Sequence, residues 1–126
     1  MRAVDTNVVV RLLTGDDASQ TEAASRFIEK GAWVSILALA ETTWVLRTWY
    51  QRSAAEIADA IETLLGNTDL TFQDSDIVAA ALDLFRSRPS LGFSDCLMLH
   101  IARKAGHLPL GTFDRALGRV DGAHKL

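Results

Sequence analysis

Cysteine is almost missing from this chain of 126 residues, with Cys96 the single example. One thiol excludes a disulfide within the chain and leaves too few thiolates for a cysteine-based zinc site. Proline is nearly as scarce: Pro89 and Pro109 are the only two, and both fall in apparent connections. No repeat, low-complexity tract or linker interrupts the sequence. No apolar run approaches the roughly 20 residues needed to cross a bilayer, and no apolar signal core follows Met1. The expectation is one soluble, cytoplasmic domain over residues 1–126, with no membrane association.

What is present is ordinary in bulk: 48% hydrophobic residues, 23% charged, and a formal net charge of −3. A domain of this size buries roughly two-thirds of its unfolded surface, so it needs no metal to fold. Any metal would then serve chemistry. The negative net charge argues at first against a nucleic-acid partner.

Along the chain, short β-rich stretches alternate with helical spacing. Ala3-Val4-Asp5 closes a first strand, and Asn7 is placed as the cap of the helix that follows. Apolar residues at Ala23, Ala24, Phe27 and Ile28 mark a second helix, stopped by Gly31. Ala32-Trp33-Val34 is a second strand, with Ser35 capping a helix from Ile36 to about Tyr50. Ser53 and Glu56 form a capping box for a helix to Leu65. Leu70-Thr71-Phe72 is β-rich, and Asp74 or Ser75 can cap a helix to about Arg86. Ser94 is read as opening a helix to Ala105, closed by Gly106. Leu108 to Phe113 reads as a strand, and Ala116 to Val120 as a short helix or turn. This alternation predicts an α/β domain with a short, mostly parallel central sheet flanked by helices.

Four acids stand out against this frame. Glu41 shares three- and four-residue spacings with Leu37, Ala40, Trp44 and Val45, which places it on the expected inward face. Asp95 stands likewise among Leu91, Met98, Leu99 and Ala102. A bare carboxylate on such a face costs several kcal/mol, on the order of other buried charges, and calls for a compensating partner. Asp5 and Asp114 sit at strand ends, the rim where parallel sheets place their sites. With Thr6, Asn7, Ser94 and Thr112 nearby in sequence, the four could converge on one polar cleft. Carboxylates without His or Cys suit a hard cation, magnesium first and manganese next, and such ions support in-line phosphodiester hydrolysis. With these four negative charges offset by cations, the formal charge moves from −3 to +1. Plainer readings stay open: Asp5 and Asp114 as helix caps, Glu41 and Asp95 as ion-pair partners of Arg47 or Arg103.

Val-Asp-Thr-Asn at 4–7, Ala40-Glu41, Phe-Ser-Asp-Cys-Leu at 93–97 and Gly-Thr-Phe-Asp-Arg at 111–115 together resemble the PIN-domain nucleases. The likeness is greatest to the VapC-type toxins of bacterial toxin–antitoxin pairs, and it covers essentially the whole chain. It implies a PIN-like fold and magnesium-dependent endoribonuclease activity on structured RNA, such as transfer or ribosomal RNA. It also implies a cognate antitoxin and a homodimer. By motif position Asp5, Glu41, Asp95 and Asp114 match the four acids, and Asn7, Ser94 and Thr112 match polar positions that orient ligands or water. Cys96 stands where Ala is common in the family.

Other residues attract plainer readings. Cys96 reads as a packed thiol, and His100, His107 and His124 lack ligand spacing. Trp44 is placed in the core, while Trp49 and Tyr50 could line a groove for an antitoxin helix. Arg11 and Arg115 are near site acids in sequence and could meet RNA phosphates. Two competing functions differ in class: a PIN-like binding module without activity, and a phospho-acceptor receiver domain. The receiver is disfavoured because Asp5 stands alone after its strand and no late lysine occupies the required place.

Overall fold

A three-residue strand cannot hold a sheet by itself, so the architecture rests on the helices packed around the strands. The computed structural model describes residues 1–126 as five short strands, six α-helices and one 3-10 turn. The chain divides into two compact units, Met1–Ser75 and Asp76–Leu126. No helix is long and apolar enough to cross a membrane.

In the first unit, β1 (Arg2–Val4), β2 (Ala32–Val34) and β3 (Leu70–Phe72) form a parallel sheet in the order β1-β2-β3. Val4 pairs with Val34 and Val34 with Phe72, so the strands end level with one another. Parallel neighbours need crossovers, which helices supply. Here α1 (Thr6–Thr14) and α2 (Ala18–Ile28) link β1 to β2, and α3 (Ile36–Thr48) and α4 (Ala54–Leu65) link β2 to β3. Ala32 and Val34 of the central strand are fully buried.

Local chemistry fixes where these helices begin. Asp5, Asp17 and Ser35 each take extended backbone and accept a hydrogen bond from the helix that follows. Ser53 and Glu56 complete the anticipated capping box. One start differs from the sequence reading: the cap of α1 is Asp5, and Asn7 lies inside the helix. Asp5 wins because its Oδ1 accepts from Val8 N at 3.1 Å, the reach a cap requires.

The inward face of α3 also differs. Its buried residues are Ala38, Leu39, Thr42, Thr43 and Leu46, while Leu37, Glu41 and Trp44 are exposed. Trp44 is therefore a surface residue, 58% exposed, and not core. The two threonines explain the error. Thr42 Oγ1 donates to the Ala38 carbonyl at 2.8 Å and Thr43 Oγ1 to that of Ala40 at 2.8 Å. With hydroxyls satisfied locally, threonine buries like a small apolar residue, which polarity patterning does not register.

In the second unit, α5 (Ser75–Ser87, of which Ser75 closes the first unit) contributes Ile77, Val78, Ala81, Leu82 and Phe85 to a core. From α6 (Phe93–Ala105) come Phe93, Cys96, Leu97 and Leu99. Phe85 and Phe93 meet edge to face, with centroids 5.7 Å apart and planes at 77°. Helix α6 starts after Gly92, so Ser94 lies within its first turn and caps nothing. Gly106 ends the helix with φ 82°, a left-handed conformation that glycine adopts freely.

The strand β4 (Leu110–Thr112) pairs in parallel with β5 (Ala123–Lys125), a strand the sequence reading did not find. A 3-10 turn at Leu117–Arg119 joins them. Bonds from Leu110 N to the Gly122 carbonyl, 2.9 Å, and from Leu126 N to that of Thr112, 2.8 Å, fix the ladder at both ends.

Candidate functional site

The first pair of acids stands at the carboxyl edge of the three-stranded sheet. Asp5 follows directly on β1, and Glu41 stands on the second turn of α3 after β2. A hydrogen bond between helices relates them. Thr6 Oγ1, next to Asp5, donates to Glu41 Oε2 at 2.9 Å. Both carboxylates are exposed to solvent. Asp5 spends Oδ1 on its cap bond and Glu41 spends Oε2 on Thr6, so each keeps a second oxygen with no protein donor.

The second pair lies in the other unit. Asp95 occupies the first turn of α6, and its Oδ2 lies over Gly92, 3.7 Å from where a side chain there would begin. No protein donor reaches its carboxylate. Burial first, and the charge of Asp114 second, raise its carboxyl above the ordinary value. Asp114 follows β4 and is held in a tight turn: its amide donates to Thr112 Oγ1 at 3.0 Å, and its Oδ1 accepts from Leu117 N at 2.8 Å. Asp114 thus anchors the first residue of the 3-10 turn through one oxygen and, like Asp5, keeps the other free.

The acids thus stand two and two, and no group of three or more His, Cys, Asp or Glu is gathered as an ion-holding set. Neither Glu41 nor Asp95 pairs with an arginine; Arg103 instead donates to the Asp121 carbonyl at 2.7 Å. Of the supporting polar residues, Thr6 and Thr112 bond directly to site acids or their backbone. Asn7 and Ser94 are exposed, and Asn7 joins Asp5, Val8, Ala24 and Phe27 in lining a cleft of about 480 Å³ between α1 and α2.

Arg11 is not a free cation. Its guanidinium donates to Gln20 Oε1 at 2.7 Å, Asp16 Oδ1 at 3.1 Å and the Tyr50 hydroxyl at 3.2 Å. Tyr50 in turn donates to Asp16 Oδ2 at 2.6 Å. This cluster ties α1, α2 and the end of α3 together, a role that sequence proximity to Asp5 did not reveal. Tyr50 belongs to that clasp, whereas Trp49 is 73% exposed. Arg115 is exposed. Cys96 is fully buried, and burial first and the Asp95 charge second push its thiol up to about 11. That thiol is packing, with no part in chemistry.

Compared with curated proteins, the sequence finds no match. The PIN domain family matches residues 2–123, a span that takes in all four acids and their motifs. Members of this family are in general metal-dependent nucleases. With its parallel strands, six helices and a match over nearly the whole chain, this protein belongs to the PIN domain family.

Proposed function

We propose that this protein is a magnesium-dependent endoribonuclease, with Asp5, Glu41, Asp95 and Asp114 as its metal ligands and manganese as a substitute ion. The supporting observation is that each of the four acids, in its family motif, keeps at least one carboxylate oxygen that no protein group uses. An all-oxygen donor set fits a hard divalent cation. When bound, such an ion would polarise the phosphodiester and make a water easier to deprotonate.

The protein's own residues orient these donors. Thr6 fixes one oxygen of Glu41, Leu117 N fixes one oxygen of Asp114, and Thr112 holds the Asp114 backbone amide. The repulsion Asp95 feels from Asp114 is relieved by a cation, so the pair is disposed to take one up.

In the cell we read the protein as the toxin of a type II toxin–antitoxin pair in the cytoplasm, acting on transfer or ribosomal RNA. The antitoxin and a homodimer belong to the same proposal. Leu37 and Trp44, exposed on α3 on either side of Glu41, favour a protein surface there. A non-catalytic PIN module is the alternative, which the intact acid set disfavours.

The test is incubation of purified protein with transfer RNA and ribosomal RNA fragments, with magnesium and with chelator. Cleavage that needs the metal and is lost in Asp5→Asn supports the reading. Equal cleavage by wild type and Asp5→Asn overturns the site assignment.

A further inference from the structure

Of the five phenylalanines, Phe72, Phe85 and Phe93 are buried and Phe27 is half-buried. Phe113 alone is 80% exposed, the most exposed of the large apolar side chains. It stands between Thr112 and Asp114, in the turn fixed by the Asp114 N–Thr112 Oγ1 and Leu117 N–Asp114 Oδ1 bonds. The ring therefore has little backbone freedom to lose on meeting a ligand, and its base is one residue from a proposed metal ligand. In the fold it stabilises almost nothing, because burial is what makes an aromatic ring favourable.

One cation lies close to it in sequence. Arg115 is exposed two residues on. An exposed aromatic face beside an acid that would hold a metal at a phosphate, with an arginine two residues on, suits single-stranded nucleic acid. Bases stack on the ring and a phosphate meets the cation.

We infer that Phe113 is a stacking platform for the nucleobase adjoining the scissile phosphate, with Arg115 holding a neighbouring phosphate. This rests on the ribonuclease reading of the same site. Phe113 is thus a substrate-positioning residue, and its preference is for the larger ring: purine over pyrimidine, and any base over none.

The test uses a fluorescein-labelled single-stranded RNA that the wild type cleaves, with binding followed by anisotropy in the full-length Asp5→Asn background. Asparagine remains a good helix cap, so that background keeps its fold. Adding Phe113→Ala should weaken binding roughly 5- to 100-fold, and Phe113→Trp should restore it. In the cleaving protein the loss should fall on KM more than on kcat. An abasic nucleotide at one position beside the cut should weaken binding to the parent but add nothing to Phe113→Ala. Arg115→Ala should lower the slope of log affinity against log salt by about 0.7, while Phe113→Ala leaves it unchanged. Phe113→Ala that binds as tightly as its parent, or that loses the same at every abasic position, overturns the platform while the nuclease reading stands. So does a Phe113→Ala that turns a dimer into monomers of unchanged RNA affinity, since the ring is then a protein contact. A wild type that neither binds nor cleaves RNA overturns both.

Discussion

The Thr6 hydroxyl reaches Glu41 Oε2 at 2.9 Å, joining α1 to α3 across 35 positions of sequence. A group that orients a metal-binding carboxylate commonly changes activity or metal affinity by 10- to 100-fold when removed. Thr6→Val keeps the shape and deletes the donor. We expect about a tenfold loss of cleavage at limiting magnesium, partly recovered at high magnesium, with Thr6→Ser close to wild type. A magnesium titration of the cleavage rate checks this, and an unchanged titration would mean that Glu41 needs no orienting.

Asp5 both caps α1 and belongs to the acid set, and two substitutions separate these roles. Asparagine caps nearly as well as aspartate, whereas alanine costs about 1 kcal/mol at such a position. Asp5→Asn and Asp5→Ala should therefore be equally inactive, but only Asp5→Ala should show an earlier urea midpoint. Matching midpoints for the two variants would remove the cap from the account.

Asp95 has no protein donor, is partly buried and stands near Asp114, so at neutral pH its charge opposes folding. Asp95→Asn should raise the melting temperature of metal-free protein, by a degree or a few. The order should reverse in millimolar magnesium, which stabilises only the chain that binds it. Melts with chelator and with magnesium read both effects; an Asp95→Asn protein less stable in chelator contradicts the assignment.

The clasp at Asp16 gives a pH dependence of opposite sign. The Tyr50 hydroxyl first, the Thr14 hydroxyl next and Arg11 after them hold its carboxyl below the ordinary value of 3.8. A lowered carboxyl contributes stability that is full above 3.8 and is lost as pH falls through its folded-state value. Tyr50→Phe should be less stable than wild type at pH 7, with the gap closing as Asp16 protonates below pH 3.8. Urea melts across that range measure it. A gap that stays constant to pH 3 would show that the tyrosine acts by packing alone.

Cys96 should be inert in the native protein. Buried, with its thiol pushed up to about 11, it presents almost no thiolate at neutral pH. A thiol reagent should label it only at the rate of unfolding, and labelling as fast as that of a free peptide would place it at the surface.

Most of the local structure was legible because caps and breakers act over three or four residues. Ser35, the Ser53–Glu56 box and Gly106 mark helix ends where expected, whereas α2 ends at Ile28, with a two-residue turn before Gly31. The fold class followed from alternation, which needs only the order of the elements. The inward side of a helix is not legible where threonines line it. Thr42 and Thr43 bury by bonding to their own helix, which exchanged the two faces of α3 and made Trp44 look like core. The four acids were found on partly mistaken grounds, since Glu41 is exposed and needs no buried partner. The strand β5 escaped because three residues with two polar side chains carry no pattern, and its ladder is defined by a partner distant in sequence. Arg11 shows the same limit: its partners Asp16, Gln20 and Tyr50 come from three places that only folding unites.

The threonines of α3 also act at a distance from themselves. At 1% exposure Thr42 has no room to grow, so a leucine there would have to lift the whole rod. Glu41 is the adjacent residue, so any shift of the helix would carry its Oε2 away from the Thr6 hydroxyl that reaches it. The size of a silent interior residue thus sets the aim of a charged exterior one.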